Sequence, residues 1–353
     1  MYLQDIPLPE AQARLEGALI KANLGGILGI EEIPLNENAL GRILAEPVWA
    51  KLSSPHYHAA AMDGFAVRAG ETDGALPTKP VTLQTGDKMV YVDTGDALPD
   101  WADAVIPIEN VEPLEADGNP AAEIRQPHAV RIRAAMTPWQ HIRPMGEDIV
   151  ATQLVLPAGH SLRSVDLGAI AASGHSHVRV TRRPKVAILP TGSELVPIGD
   201  PVSPGEIIEY NSLVLASQVK SWGGEATRLP ITEDNFDQIC SRVSQAAKSH
   251  DLILVNAGSS AGSEDYTAQV VQELGELLVH GVAIRPGHPV ILGVIKSEGD
   301  QSRVNYERSD DGERDLKTSV IIGVPGYPVS SALTGEIFVE PLLARWRSTQ
   351  PAG

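Results

Sequence analysis

The sequence predicts a multi-domain α/β protein: a parallel sheet domain joined to a small β-rich domain. Three observations predict it. Two unbroken apolar runs, 186–189 and 252–255, stop at loops of glycine, hydroxyls and acid, as buried parallel strands do. Apolar runs then alternate with helical patterns from 211 to 346, which implies right-handed crossovers. Between 51 and 140, short β-type pieces alternate with turn signals. At 353 residues the chain exceeds one ordinary core, so two or three domains are expected. We divide it into 1–50 plus 141–181, 51–140 and 182–348.

In order, Leu15, Ala18, Leu19 and Ala22 have helical spacing within 8–24, ended by Gly25 and Gly26. A second short helix is expected around 39–44, capped by Asn38. From Trp49 an irregular loop enters a strand at 64–67. Turns follow at 85–87 and 94–96, and 113–120 is polar and turn-like. The polar turn 142–149 carries Glu147 and Asp148, and a helix bearing Val165, Leu167, Ile170 and Ala171 ends at Gly174. A short strand at 178–180 and a linker at 182–184 lead into the large domain. There, Asn211 is expected to cap a helix over 213–222 and Asp234 another bearing Ile239, Val243 and Ala246. A helix with Val270, Val271 and Leu274, strands at 277–284, 290–295 and 320–322, and a final helix at 329–346 complete the pattern. The acidic stretch 296–317 reads as an exposed excursion between strands.

Composition narrows the function. The chain is 42% hydrophobic and 21% charged, as in a soluble globular protein, and its aromatics are few. A formal charge of −17 argues against nucleic-acid binding, which needs a basic surface, but not against small anions held locally. The single cysteine, Cys240, excludes an intramolecular disulfide and a Cys-based zinc site. There is no basic-then-apolar leader and no run near the roughly 20 apolar residues needed to cross a bilayer. The expected location is therefore the cytoplasm.

Four loops, at 190–194, 256–265, 285–289 and 325–328, should meet at one sheet edge, where α/β sheets place ligands. They bring Glu194 and Asp265, serine hydroxyls, glycine-opened amides, Arg285 and His288. A carboxylate pair can hold a hard divalent cation such as Mg²⁺, and residues 258–262 let backbone amides approach an anion. The bland alternatives are helix capping for each acid and a surface ion pair for Arg285. The loop lacks a P-loop's Gly-Lys-Ser/Thr ending, and Thr191-Gly-Ser-Glu194 lacks the Gly-x-Ser-x-Gly elbow of a hydrolase. His56-x-His58 and His175-x-His177 have no third ligand nearby and read as exposed histidines.

Several motifs in order carry a resemblance over nearly the whole chain. They are Ala61-Met-Asp63-Gly-Phe-Ala-Val67, Thr94-Gly-Asp-Ala-Leu-Pro99, Gly146-Glu-Asp148 and Pro190-Thr-Gly-Ser-Glu194. Gly262-Ser-Glu-Asp265-Tyr266, Arg285-Pro-Gly287 and Pro325-Gly-Tyr-Pro-Val-Ser330 continue the series. Together they resemble the molybdopterin molybdotransferase family, the MoeA and gephyrin E-domain type.

That resemblance implies a MogA-like α/β domain at 182–348 and an elongated α+β dimerisation or linker domain. It also implies a homodimer whose site is shared between subunits. The implied activity is Mg²⁺-dependent insertion of molybdate into adenylylated molybdopterin with release of AMP, the substrate coming from a MogA-like adenylyltransferase. Asp63, Thr94, Asp148, Glu194 and Asp265 would be catalytic, with Glu194 and Asp265 at the metal. Thr191, Gly192, Ser193, Gly258, Ser259, Ser260, Gly262, Arg285, His288, Pro325 and Gly326 would bind substrate. The chain departs from the family at Arg285-Pro-Gly-His288, where a Lys-Pro-Gly-Lys is usual, at 257–262, at Tyr327 and at Ala60. It stops soon after the last helix, so no C-terminal β domain is expected. The rival reading is a non-catalytic module that binds molybdopterin or molybdate for sensing or delivery.

Overall fold

The computed structural model describes residues 6–86, 88–257, 266–298 and 316–349. The acidic excursion falls largely outside them. The chain forms two compact units, 1–31 with 179–353 and 32–178. It passes from one to the other within the strand Ile30–Pro34 and again within His177–Thr181.

The first unit is built on a six-stranded sheet. Its order is Glu225–Arg228, Lys185–Thr191, Leu252–Ala257, Leu316–Val324, Ile291–Glu298, Gly275–His280. The first four strands are parallel, whereas the last two joints are antiparallel. The all-parallel expectation is therefore corrected to a mixed sheet. Apolar runs report burial on both faces, and strand direction leaves no mark on them. Val186, Ile188, Leu252 and Leu254 pack on one face and Ala187, Leu189, Ile253 and Val255 on the other, all fully buried. Leu8–Lys21, Asn211–Ser221 and Glu340–Arg347 contribute to the first core; Phe236–Ala247 and Tyr266–Leu274 cover the second. Arg182, read as linker, makes two 3.0 Å hydrogen bonds to the buried Asp251, which also accepts from the Lys185 amide at 2.8 Å.

The second unit contains two antiparallel three-stranded sheets. Met89–Val92, Gly64–Val67 and Ala104–Pro107 form one; Val81–Gln84, Ala129–Ile132 and Val111–Leu114 form the other. Phe65, Met89 and Ile106 of the first and Leu83, Val130 and Ile132 of the second share one core. The helix Ser164–Ala172 starts at a capping box in which Asp166 accepts from the Arg163 amide at 2.8 Å. The Arg163 guanidinium and His160 hold that buried carboxyl far below the usual carboxylate range.

Several local expectations shift. No α-helix forms at 39–44: a 3-10 turn at Glu37–Ala39 is capped by Asn36, whose Oδ1 accepts from the Asn38 amide. Asn235, not Asp234, caps Phe236–Ala247. Asn211 lies inside its helix, and its side chain reaches Gly326 instead. The final helix is interrupted by a π-turn at Gly335–Val339.

Candidate functional site

Two sequence motifs of the second unit, at 61–67 and 94–99, meet at the short strand Ala59–Ala60, and the strand leading into the third, Ile142–Arg143, pairs beside them. On one side, Ile142 lies opposite Ala60 and Arg143 opposite Ala59. On the other side, the Gly95 amide donates to the Ala60 carbonyl at 2.8 Å and the Ala60 amide to Asp96 at 3.0 Å. The strand then delivers Asp63. Its carbonyl accepts from the Ile108 amide at 2.9 Å, so its backbone is tied to the sheet. Gly64 follows because nothing larger fits: a Cβ there would lie 2.0 Å from the Ile106 carbonyl oxygen.

Asp63 itself is exposed, and one carboxylate oxygen takes two hydrogen bonds from Thr94: 2.6 Å from the hydroxyl and 2.7 Å from the amide. The hydroxyl bond, then the amide bond, lower its pKa from the ordinary value, with a smaller contribution from the charge of Arg125. Asp63 is thus an oriented, ionised carboxylate at the surface of the unit. Asp148 is also exposed and pairs with Arg143, whose Nε donates to Glu147 at 2.9 Å. The acids of the Gly146-Glu-Asp148 motif therefore clamp one guanidinium.

In the first unit, the sheet register brings the loops together. Thr191 pairs with Ala257 and Asn256 with Val324, so three adjacent parallel strands end at one edge. Ile291 pairs with Gly323, so the antiparallel neighbour begins at that edge and its preceding loop, 285–290, lies there too. Thr191 is buried within its strand, while Ser193 is exposed and Glu194 half-buried. Gly192 has φ +155°, and a Cβ there would meet a Glu194 carboxylate oxygen at 2.8 Å. The Glu194 side chain consequently folds back over the glycine. The Glu194 carbonyl accepts from the Ile207 amide at 2.8 Å, and Glu209 donates its amide to Val196 at 2.8 Å.

Two asparagines hold the Pro325–Gly326 turn. Buried Asn256 donates to the Pro325 carbonyl at 3.1 Å, and Asn211 donates to Gly326 at 2.8 Å. Pro325 is buried and Gly326 half-buried. In the 285–288 loop Arg285 is exposed, whereas the His288 Nδ1 lies 3.0 Å from the Val282 carbonyl. That nitrogen must carry a proton and donate to the oxygen, which fixes the ring orientation. Asp265, Gly258, Ser259, Ser260 and Gly262 lie outside the described residues.

Among the described residues no group of three His, Cys, Asp or Glu side chains could hold a metal. His58 Nδ1 instead accepts from the Met145 amide at 2.9 Å, and His175 Nε2 lies 2.9 Å from the Trp49 carbonyl. Two features escaped the sequence reading. Buried Glu209 accepts from Ser212 through both amide and hydroxyl, at 2.7 and 2.6 Å, with Arg228 alongside. The spacing of an acid three residues before a helical serine was its one signal. Tyr91, Asp93 and Arg125 form a cluster beside Thr94, and the irregular segment supplying Arg125 gave no signal at all.

Residues 6–174 match the MoeA N-terminal region (domain I and II), and residues 187–345 match the probable molybdopterin binding domain. The chain is similar to molybdopterin molybdenumtransferase 2 of Mycobacterium tuberculosis, at 31% identity over 88% of this chain and 74% of that one. A molybdopterin molybdenumtransferase of Nostoc is 29% identical over 87% of this chain and 67% of the relative. Among solved structures, a molybdopterin biosynthesis MoeA protein of Pyrococcus horikoshii aligns over 98% of this chain and 81% of its own. The TM-score is 0.76 and the identity 31%. The motifs that converge in each unit thus sit in a chain that, along nearly its whole length, belongs to the MoeA family of molybdopterin biosynthesis proteins.

Proposed function

We propose that the chain is a molybdopterin molybdotransferase of molybdenum cofactor biosynthesis. It inserts molybdate into adenylylated molybdopterin and releases AMP. The observation that carries this reading is the Asp63–Thr94 lock, in which two donors orient one ionised carboxylate. It occurs in a chain similar throughout to proteins named molybdopterin molybdenumtransferase.

In this reading Asp63 and Thr94 close the site from the β-rich side, and Asp148, clamped on Arg143, flanks them. Glu194 and Asp265 position substrate and divalent metal. The metal set fits in kind: Mg²⁺ takes one or two carboxylates and completes its shell with water and phosphate oxygens, so a three-residue cluster is not required. When bound, it would neutralise charge on the leaving phosphate. Thr191, Gly192 and Ser193, the amides of 258–262, Arg285 and the turn at 325–326 bind the anionic substrates through charge and hydrogen bonds. His288 shapes its loop and is a weaker anion ligand than a lysine would be. The working form is a cytoplasmic homodimer with the site shared between subunits. Residues 51–140 act as a separate domain, and a MogA-like adenylyltransferase supplies the substrate. No helix among the described residues is long and apolar enough to cross a membrane.

The second reading, a binding module without turnover, is favoured by Arg285-Pro-Gly-His288, which holds one permanent cation. The two are separated by incubating the protein with adenylylated molybdopterin, molybdate and Mg²⁺. Protein-dependent AMP release is expected, reduced about 100-fold or more in Glu194→Ala. AMP release no faster with the protein than without it would sink the catalytic reading, and saturable ligand binding would then support the module.

A further inference from the structure

A cluster of mutually held side chains adjoins the Asp63–Thr94 pair. Tyr91 lies edge-on to the buried Phe65, centroids 5.5 Å apart, and its hydroxyl donates to Asp93 at 2.9 Å. Asp93 in turn donates its amide to Asp96 at 2.9 Å. Arg125 lays its guanidinium over the Tyr91 ring, 5.2 Å from the centroid, with Nη2 3.3 Å from Asp93. Its backbone amide donates to Glu123 at 2.9 Å. Backbone and guanidinium head of this arginine are therefore both held, although the side chain is 62% exposed.

We propose that Arg125 is a substrate-binding residue that takes an oxyanion, a phosphate or molybdate oxygen brought beside Asp63 and Thr94. The proposal rests on the reading under Proposed function. Charge makes the case first. Asp93 pairs with Arg125, Asp96 accepts from the Asp93 amide, Glu123 accepts from the Arg125 amide and Asp63 holds the neighbouring Thr94, so an anion brought here meets four carboxylates and needs a cation that offsets them. Arg125 is positioned to do so, and its charge is felt at Asp63. Geometry makes it second. A guanidinium offers a planar fork of donors that matches phosphate and other oxyanions, and stacking on Tyr91 fixes its plane. An ion pair as exposed as that with Asp93 is weak in water, so an arriving oxyanion can take the fork from the aspartate.

The test uses the full chain as wild type, Arg125→Ala, Arg125→Lys and Asp93→Asn, each checked for unchanged melting. AMP release is measured with molybdate and adenylylated molybdopterin varied separately. Arg125→Ala should raise KM about 10-fold for whichever anion it holds, with kcat changed by less than KM. The substrate whose KM moves identifies the oxyanion. Arg125→Lys should recover part of the loss. Asp93→Asn should lower the same KM, because the competing carboxylate is gone while an acceptor for Tyr91 remains. Unchanged KM values in Arg125→Ala, or a higher KM in Asp93→Asn, overturn the proposal. If the wild type releases no AMP, the transferase reading fails, and calorimetry with inorganic pyrophosphate decides separately on Arg125. Weaker binding by Arg125→Ala supports the assignment, and equal binding by both proteins rejects it.

Discussion

Asp63 takes both hydrogen bonds from a single residue, and that makes its protonation a readable property. The Thr94 hydroxyl is the larger cause of its lowered pKa, the amide the next. A depressed folded value means that these bonds favour the fold above the ordinary carboxylate range and cease to do so as pH falls through the folded value. If catalysis needs the carboxylate, the acid limb of kcat/KM follows Asp63. Thr94→Ala removes the hydroxyl and keeps the amide, so the limb should move to higher pH. Thr94→Ser should leave it near its wild-type place. A limb that stays put in Thr94→Ala, measured over the acid range, would separate Asp63 from the reaction. Both residues were legible as motif members before their geometry was known. The partner Arg125 was not, because a guanidinium recruited from an irregular segment 31 residues further on leaves no periodicity to detect.

At the scale of elements, the helix Asn211–Ser221 shows how tertiary contacts override local rules. Asn211 has the side chain of a good cap, yet it bonds Gly326 and leaves the helix start to Glu209. The buried Glu209 carboxylate binds the Ser212 amide and hydroxyl, while the Glu209 amide holds Val196 two residues past Glu194. One acid thereby ties a helix, the loop of a candidate catalytic residue and the edge strand that carries Arg228. Arg228 is 40% exposed, so its ion pair contributes little. The cost of removing the acid comes from the buried Ser212 groups it satisfies. Glu209→Ala should lower unfolding free energy by about 1–3 kcal/mol in urea denaturation, and Glu209→Gln by less. A wild-type midpoint in Glu209→Ala would show that water or a neighbour replaces the carboxylate. The same element explains what was readable in advance. Strands such as 252–255 announce themselves because burial on both faces demands unbroken apolar residues. Strand directions and the Asn211 contact depend on partners far away in sequence and leave no local mark, whereas at Asp234 the pattern is one residue off because its neighbour Asn235 caps equally well and takes the Gln238 amide.

At the scale of the whole molecule, the second unit reads as an insertion into the first. The first unit leaves at residue 31 and resumes at 179, and the Arg182 amide donates to the Gly29 carbonyl at 2.9 Å, so the two cut ends lie close together. Within the second unit, the Leu35 amide donates to the Ser176 carbonyl at 2.8 Å, which closes its ends in the same way. Each unit also has its own apolar core, with Val186, Leu254 and Trp346 in one and Phe65, Ile106 and Val130 in the other. A segment with neighbouring ends and a private core should fold alone. Residues 32–178, expressed without the rest, are expected to melt cooperatively and to keep the Asp63–Thr94 pair. Residues 1–31 joined to 179–353 by a short glycine-serine linker should do likewise. Neither fragment should release AMP, since the proposed reaction draws its acids from both. A fragment 32–178 that shows no cooperative transition by circular dichroism would mean that its core is stabilised only in the intact chain. Turnover by the 1–31/179–353 fragment alone would remove Asp63, Thr94 and Asp148 from the catalytic set and leave Glu194 and its loop to account for the chemistry.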